Sequence, residues 1–108
     1  MKKFLFFSVL VILMAPVFGQ SLPSGFAYTN ATVGATWSAP VGATFTPDGL
    51  RLFVWEKRGR VYVCNRNGSN YSKQTTPVID ISAEVLNDRD FGLVGFALDP
   101  NFQANGYI

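Results

Sequence analysis

Val94-Gly95-Phe96-Ala97-Leu98-Asp99-Pro100-Asn101 follows the same pattern as Val41-Gly42-Ala43-Thr44-Phe45-Thr46-Pro47-Asp48. Both read Val-Gly, three residues ending in a large apolar one, a polar residue, Pro, and then Asp or Asn. The prolines, at 47 and 100, stand 53 positions apart. Each copy leads into an apolar strand start, Leu50-Arg51-Leu52-Phe53 in the first and Tyr107-Ile108 in the second. A repeat of about 40–50 residues holding four short strands is the signature of a propeller blade. The alternative is a chance match in a β-rich chain.

The surrounding sequence supports an all-β domain. Short β-like runs alternate with turn chemistry, and beyond Gln20 the only stretch with a helical tendency is Ile81 to Leu86, enough for about one turn. Strands are expected at Phe26 to Val33, Val41 to Thr46, Leu50 to Glu56, Arg60 to Cys64, Val78 to Ile81 and Phe91 to Leu98. Thr46-Pro47-Asp48-Gly49 reads as a tight turn, because Pro fixes φ at the first corner and Gly accepts a positive φ. Lys57-Arg58-Gly59 makes the next turn, and Asn65 to Asn70 a loop. Leu52-Phe53-Val54-Trp55 is apolar on both faces, so that strand should be covered on both.

The first residues have the parts of a secretory signal. Lys2 and Lys3 are the positive region, Phe4 to Met14 is apolar apart from Ser8, and Pro16 and Gly19 suit a cleavage site. Cleavage is expected between Gly19 and Gln20, giving a signal peptide at 1–19 and a domain at 20–108. The apolar run is short for a membrane anchor, which needs about 20 residues. No Cys follows the run, which argues against a lipid anchor. Of 9 basic and 7 acidic side chains, Lys2 and Lys3 leave with the signal. The remainder is neutral and offers no electrostatic reason to bind nucleic acid or an anionic membrane. Lys57, Arg58 and Arg60 read as a solvated, charged strand edge. The chain ends on an apparent strand start, so it is expected to be the N-terminal fragment of a larger domain.

The sequence has one Cys and no His. Cys64, inside Val61-Tyr62-Val63-Cys64, reads as a small buried hydrophobe. The lack of His excludes, within these residues, a Ser-His-Asp triad, a His-ligated zinc and a His base. Asn30-Ala31-Thr32, Asn67-Gly68-Ser69 and Asn70-Tyr71-Ser72 fit the glycosylation pattern, at a frequency chance explains in a chain rich in Asn, Ser and Thr. Trp37 and Trp55 read as core aromatics.

Four segments in order resemble one family: Leu22-Pro23-Ser24-Gly25-Phe26; Phe45-Thr46-Pro47-Asp48-Gly49-Leu50-Arg51-Leu52-Phe53-Val54; Arg58-Gly59-Arg60-Val61; and Phe91-Gly92-Leu93-Val94-Gly95-Phe96-Ala97-Leu98-Asp99-Pro100-Asn101-Phe102 with Asn105-Gly106-Tyr107-Ile108. Together they look like the opening of the glucose/sorbosone dehydrogenase family. It includes soluble quinoprotein sugar dehydrogenases and the propeller of hedgehog-interacting proteins. The last segment is the most specific. The resemblance implies a six-bladed β-propeller, with the first blade and the start of the second in this chain.

In such a propeller the loop from one blade to the next lies on the ligand face. Here that is Ser82 to Phe91, with Glu84, Asn87, Asp88, Arg89 and Asp90. Gly92 and Gly95 would let the innermost strand crowd the central channel. The bland alternative is a solvated loop with Arg89 paired to an Asp. Asp88-x-Asp90 followed by Gly92 is too short for a calcium loop and lacks the closing Glu. The resemblance implies pyrroloquinoline quinone (PQQ) and calcium as cofactors, with their ligands mostly outside this chain. It also implies that Asp90 lies near the quinone, at a place where the quinoprotein glucose dehydrogenases carry an amide. An unpaired carboxylate there would repel a tricarboxylate, and Arg89 or a downstream base could neutralise it.

Two function classes follow. One is a secreted (periplasmic or extracellular), PQQ-dependent aldose dehydrogenase acting on a small-molecule sugar, of which this fragment alone is inactive. The other is a non-catalytic secreted propeller that binds a protein or glycan. A His base and cofactor-holding Arg and Lys in later blades would separate them.

Overall fold

The turn at Thr46 sets the frame of the sheet. In the computed structural model, which describes residues 21–108, Gly49 donates its N–H to the Thr46 carbonyl at 2.8 Å and takes φ +67°. The Thr46 hydroxyl is buried. It donates to Asp48 Oδ1 at 2.6 Å and accepts the Arg51 N–H at 3.0 Å. Asp48 Oδ1 also accepts the Leu50 N–H at 2.9 Å. The buried Thr46 hydroxyl thus has its partners, as buried polar groups require. The signal peptide expected at 1–19, and its cleavage site, lie outside the described residues.

This turn joins β1 (Pro40–Phe45) to β2 (Arg51–Glu56). Then come β3 (Arg60–Asn67), β4 (Asn70–Lys73) and β5 (Ile79–Asp80). The fold is all-β. Among the described residues it is one antiparallel sheet in the order β1-β2-β3-β4, with β5 also on β3, and one four-residue helix, α1 (Phe102–Asn105). This up-and-down sheet matches part of a propeller blade. β4 and β5 share the outer edge of β3. Lys73 faces Cys64 and Ile79 faces Val61, so three residues of the outer strand bulge out. Pro77 lies in that bulge, where its missing N–H costs no ladder bond. A second bulge sits in β1, where Pro40 faces Glu56 but Gly42 faces Trp55.

The double covering expected of β2 is present. On one face Leu52, Val54 and Cys64 pack beneath Ala31, Trp37 and Tyr71. On the other Phe53, Val61 and Phe102 pack with Trp55, Val63, Ile79, Leu93, Phe96 and Leu98. The segment before β1 covers one side and the segment after β5 the other. The buried apolar side chains of β2, Leu52, Phe53 and Val54, each contribute roughly 2 kcal/mol of transfer free energy.

Three expected elements differ. Residues 26–33 form no strand. The Asn30 side chain accepts the Thr32 N–H, and Ala35 donates to the Thr32 carbonyl in a turn that Gly34 completes at φ +75°. Local side-chain bonding of this kind competes with a ladder. Residues 91–98 run without ladder partners among the described residues. The loop expected to end at Asn70 is shorter, because β3 extends to Asn67 and β4 begins at Asn70. The turn expected near Ile81 is present, with Glu84 and Val85 both donating to the Ile81 carbonyl at 3.0 Å. No helix among the described residues is long and apolar enough to cross a membrane.

Candidate functional site

The meander sorts its loops to two ends. The Thr46 turn and the Asn67–Asn70 hairpin follow β1 and β3 at one end, and α1 lies beside the Thr46 turn, where Thr46, Asp48, Phe102 and Gln103 line one cleft. The Lys57-Arg58-Gly59 turn and the loop over residues 82–91 lie together at the opposite end. There Gly59 adopts φ +98° and donates to the Glu56 carbonyl at 3.0 Å. A Cβ on Gly59 would stand 2.9 Å from Val85 Cγ2 and 3.1 Å from the Ile81 backbone. Ile81 donates its N–H to the Gly59 carbonyl at 3.0 Å. Glycine is therefore required by both conformation and contact.

At the start of this loop the Asp80 carboxylate accepts the Ser82 hydroxyl at 2.5 Å and the Ser82 N–H at 3.1 Å, and pairs with Arg60 Nε at 3.1 Å. The Ser82 bonds, and then Arg60, hold its carboxyl below the ordinary range. Further on, Phe91 donates to the Asp88 carbonyl at 2.8 Å. Arg89 and Asp90 are thus the central residues of a tight turn, and Arg89 adopts φ +47°. Positive φ is uncommon outside glycine and must be held by its surroundings.

Lys57 does the holding. Its Nζ donates to the Arg89 carbonyl, and its own carbonyl accepts the Leu93 N–H at 2.8 Å. A Cβ on Gly92 would lie 2.5 Å from Lys57 Cγ and 2.7 Å from its carbonyl oxygen. The small size of Gly92 thus permits its contact with Lys57. A Cβ on Gly95 would meet nothing within 4 Å. On the charged edge expected at Lys57, Arg58 and Arg60, Arg58 is exposed, Lys57 reaches the Arg89 carbonyl, and Arg60 pairs with Asp80 while both side chains stay 41% exposed.

Asp90 is exposed, as are Glu84, Asn87, Asp88 and Arg89. Ion pairs among the described residues are Arg60–Asp80 and Lys73–Glu56, so Arg89 does not pair with an Asp. Among the described residues no three His, Cys, Asp or Glu side chains gather as metal ligands.

A second charged cluster escaped the sequence reading. Lys73 Nζ lies 4.1 Å from the Trp37 ring centroid and 3.8 Å from that of Tyr62. It donates to the Thr36 carbonyl at 2.8 Å and stands 3.8 Å from Glu56 Oε1. Glu56 is buried and accepts the Ser38 N–H at 2.8 Å. The cluster fastens residues 36–38 onto the sheet; cation–π and ionic contacts gain strength when water is excluded. The one available signal was an acid closing an apolar strand, since a buried carboxylate needs partners. Cys64, fully buried nearby, has its thiol pKa pushed up by burial, with Lys73 opposing.

The family model for glucose / sorbosone dehydrogenase matches residues 37–108. The chain belongs to that family. The matched stretch holds all five strands, both copies of the Val-Gly-to-Pro pattern, Lys57 and Asp90. For this glucose/sorbosone dehydrogenase family member, comparison with curated proteins gives no match, and comparison with solved structures gives none.

Proposed function

We propose that this chain is the N-terminal part, residues 20–108 after export, of a secreted PQQ-dependent sugar dehydrogenase built as a six-bladed propeller. The observation that carries the reading is the family match across residues 37–108. Export rests on the charged, apolar and small residues of 1–19. The substrate class is a small sugar, and no membrane partner is expected once the signal is removed.

The end of the sheet holding Lys57 and residues 82–91 is the candidate ligand face. Arg58 and Arg89 are exposed there and lack ion-pair partners among the described residues, which suits a tricarboxylate such as PQQ. Asp90 opposes it, so its carboxylate would tune affinity against those cations. No three carboxylates gather among the described residues, so the acidic ligands of a calcium ion would come from later blades. When bound, PQQ supplies the two-electron acceptor for oxidation of a sugar hydroxyl. This chain's part is to form one wall of the site and fix the loop bearing Asp90; the base belongs to later blades.

The test is dye-linked oxidation of an aldose panel by the full-length protein reconstituted with PQQ and calcium. Sugar-dependent dye reduction is expected, and none from residues 20–108 alone. Absence of both oxidation and calorimetric PQQ binding in the full-length protein would instead support a non-catalytic binding propeller.

A further inference from the structure

We infer that Lys57 is the positioning residue for Asp90, and so sets the charge that a ligand meets at this end of the sheet. The inference rests on the reading above that Asp90 faces the cofactor. Its structural basis is separate. Asp90 is exposed and in no ion pair among the described residues, yet Lys57 holds the chain on both sides. On one side the ammonium takes the Arg89 carbonyl, which lies in the peptide bond to Asp90. On the other, the Lys57 carbonyl takes the Leu93 N–H at 2.8 Å and its stem lies against Gly92. Arg89 at φ +47° is where the chain reverses, and a charged donor on its carbonyl stabilises that conformation. The clamp ties the β2–β3 turn to the inter-blade loop. Residues 57 and 89 lie 32 positions apart in sequence, so no local pattern reports it.

The experiment uses the full-length protein with Lys57→Met, which keeps the stem but removes the ammonium, and Lys57→Arg, which restores a cation. The first readout is tryptic cleavage after Arg89, together with hydrogen exchange at the Leu93 amide. Lys57→Met should speed both, by about tenfold for a lost charge-assisted contact, and Lys57→Arg should restore most of the protection. The second readout is PQQ affinity by calorimetry for Asp90→Asn in the native and the Lys57→Met backgrounds. Asp90→Asn should shift affinity in the native background and change it by less than about twofold once Lys57 is gone, the non-additivity expected of residues acting as a unit. Unchanged cleavage in Lys57→Met would overturn the clamp. An Asp90→Asn effect of equal size in both backgrounds would overturn the positioning role while leaving the cofactor reading intact. A loosened loop with no Asp90→Asn effect in either background would defeat the cofactor reading of Asp90, and this role with it.

Discussion

Residues 41–48 and residues 94–101 share a sequence pattern and a set of turn bonds, yet only the first sits in a ladder. Gly49 donates to the Thr46 carbonyl at 2.8 Å, and Phe102 to the Asp99 carbonyl at 2.9 Å. Thr46 donates to the Arg51 carbonyl at 2.9 Å, and Asp99 to the Tyr107 carbonyl at 3.0 Å. The second return is longer because α1 is inserted in it. What differs is the partner. Residues 42–45 face β2, and the Trp55 ring lies where a Cβ of Gly42 would be, at 2.2 Å. Residues 94–98 have no ladder partner among the described residues, and a Cβ on Gly95 would meet nothing within 4 Å. The local pattern fixes the bend, while a ladder needs a second strand beside it.

The largest effect should come where the two regions meet. Phe53, in β2, packs at 5.6 Å between ring centroids on both Phe96 and Phe102. Phe53→Ala should cost about 4 kcal/mol and expose both regions at once, read as faster hydrogen exchange in β1 and in residues 99–107 together. Loss of protection in β1 alone would show that the second copy docks independently.

Next comes the paired glycine test. Gly42→Ala forces the Trp55 indole aside and should cost about 2 kcal/mol, whereas Gly95→Ala in residues 20–108 should stay within about 0.5 kcal/mol. Equal costs would remove the contrast on which the comparison rests. Thr46→Val strips the buried hydroxyl that accepts the Arg51 N–H and should cost about 1–2 kcal/mol, seen as faster exchange of that amide.

The smallest effect is shared by both turns. Asp48 is held below the ordinary carboxyl value of 3.8 by the Thr46 hydroxyl and the Leu50 N–H, and Asp99 by the Asn105 amide and the Asn101 N–H. A pKa lower in the folded state means stability that is full above the ordinary value and lost as pH falls through the folded one. Both turns should therefore loosen only below about pH 4, and Asp48→Asn with Asp99→Asn should flatten that dependence in an acid titration followed by exchange.

Much of this was legible in sequence because it is local. The Thr46 turn, the doubly apolar β2 and the single turn after Ile81 follow from residue type and spacing. β4 was missed because Asn70-Tyr71-Ser72-Lys73 has loop composition and is a strand only through β3. Residues 26–33 looked like a strand, but Asn30 and Gly34 turned the chain first. The Lys57 clamp and the Lys73–Glu56 cluster join residues far apart in sequence, so no periodicity marks them. Asp90 entered through family resemblance, and its exposure gives it no structural role of its own.

Equivalent strands of successive blades should become equally protected once each has its neighbour. The direct measurement is hydrogen exchange of residues 94–98 against residues 41–45, in the full-length protein and in residues 20–108. In the full-length protein the two should exchange at similarly slow rates, and in residues 20–108 residues 94–98 should exchange freely. Free exchange of residues 94–98 in the full-length protein would contradict the two-blade repeat.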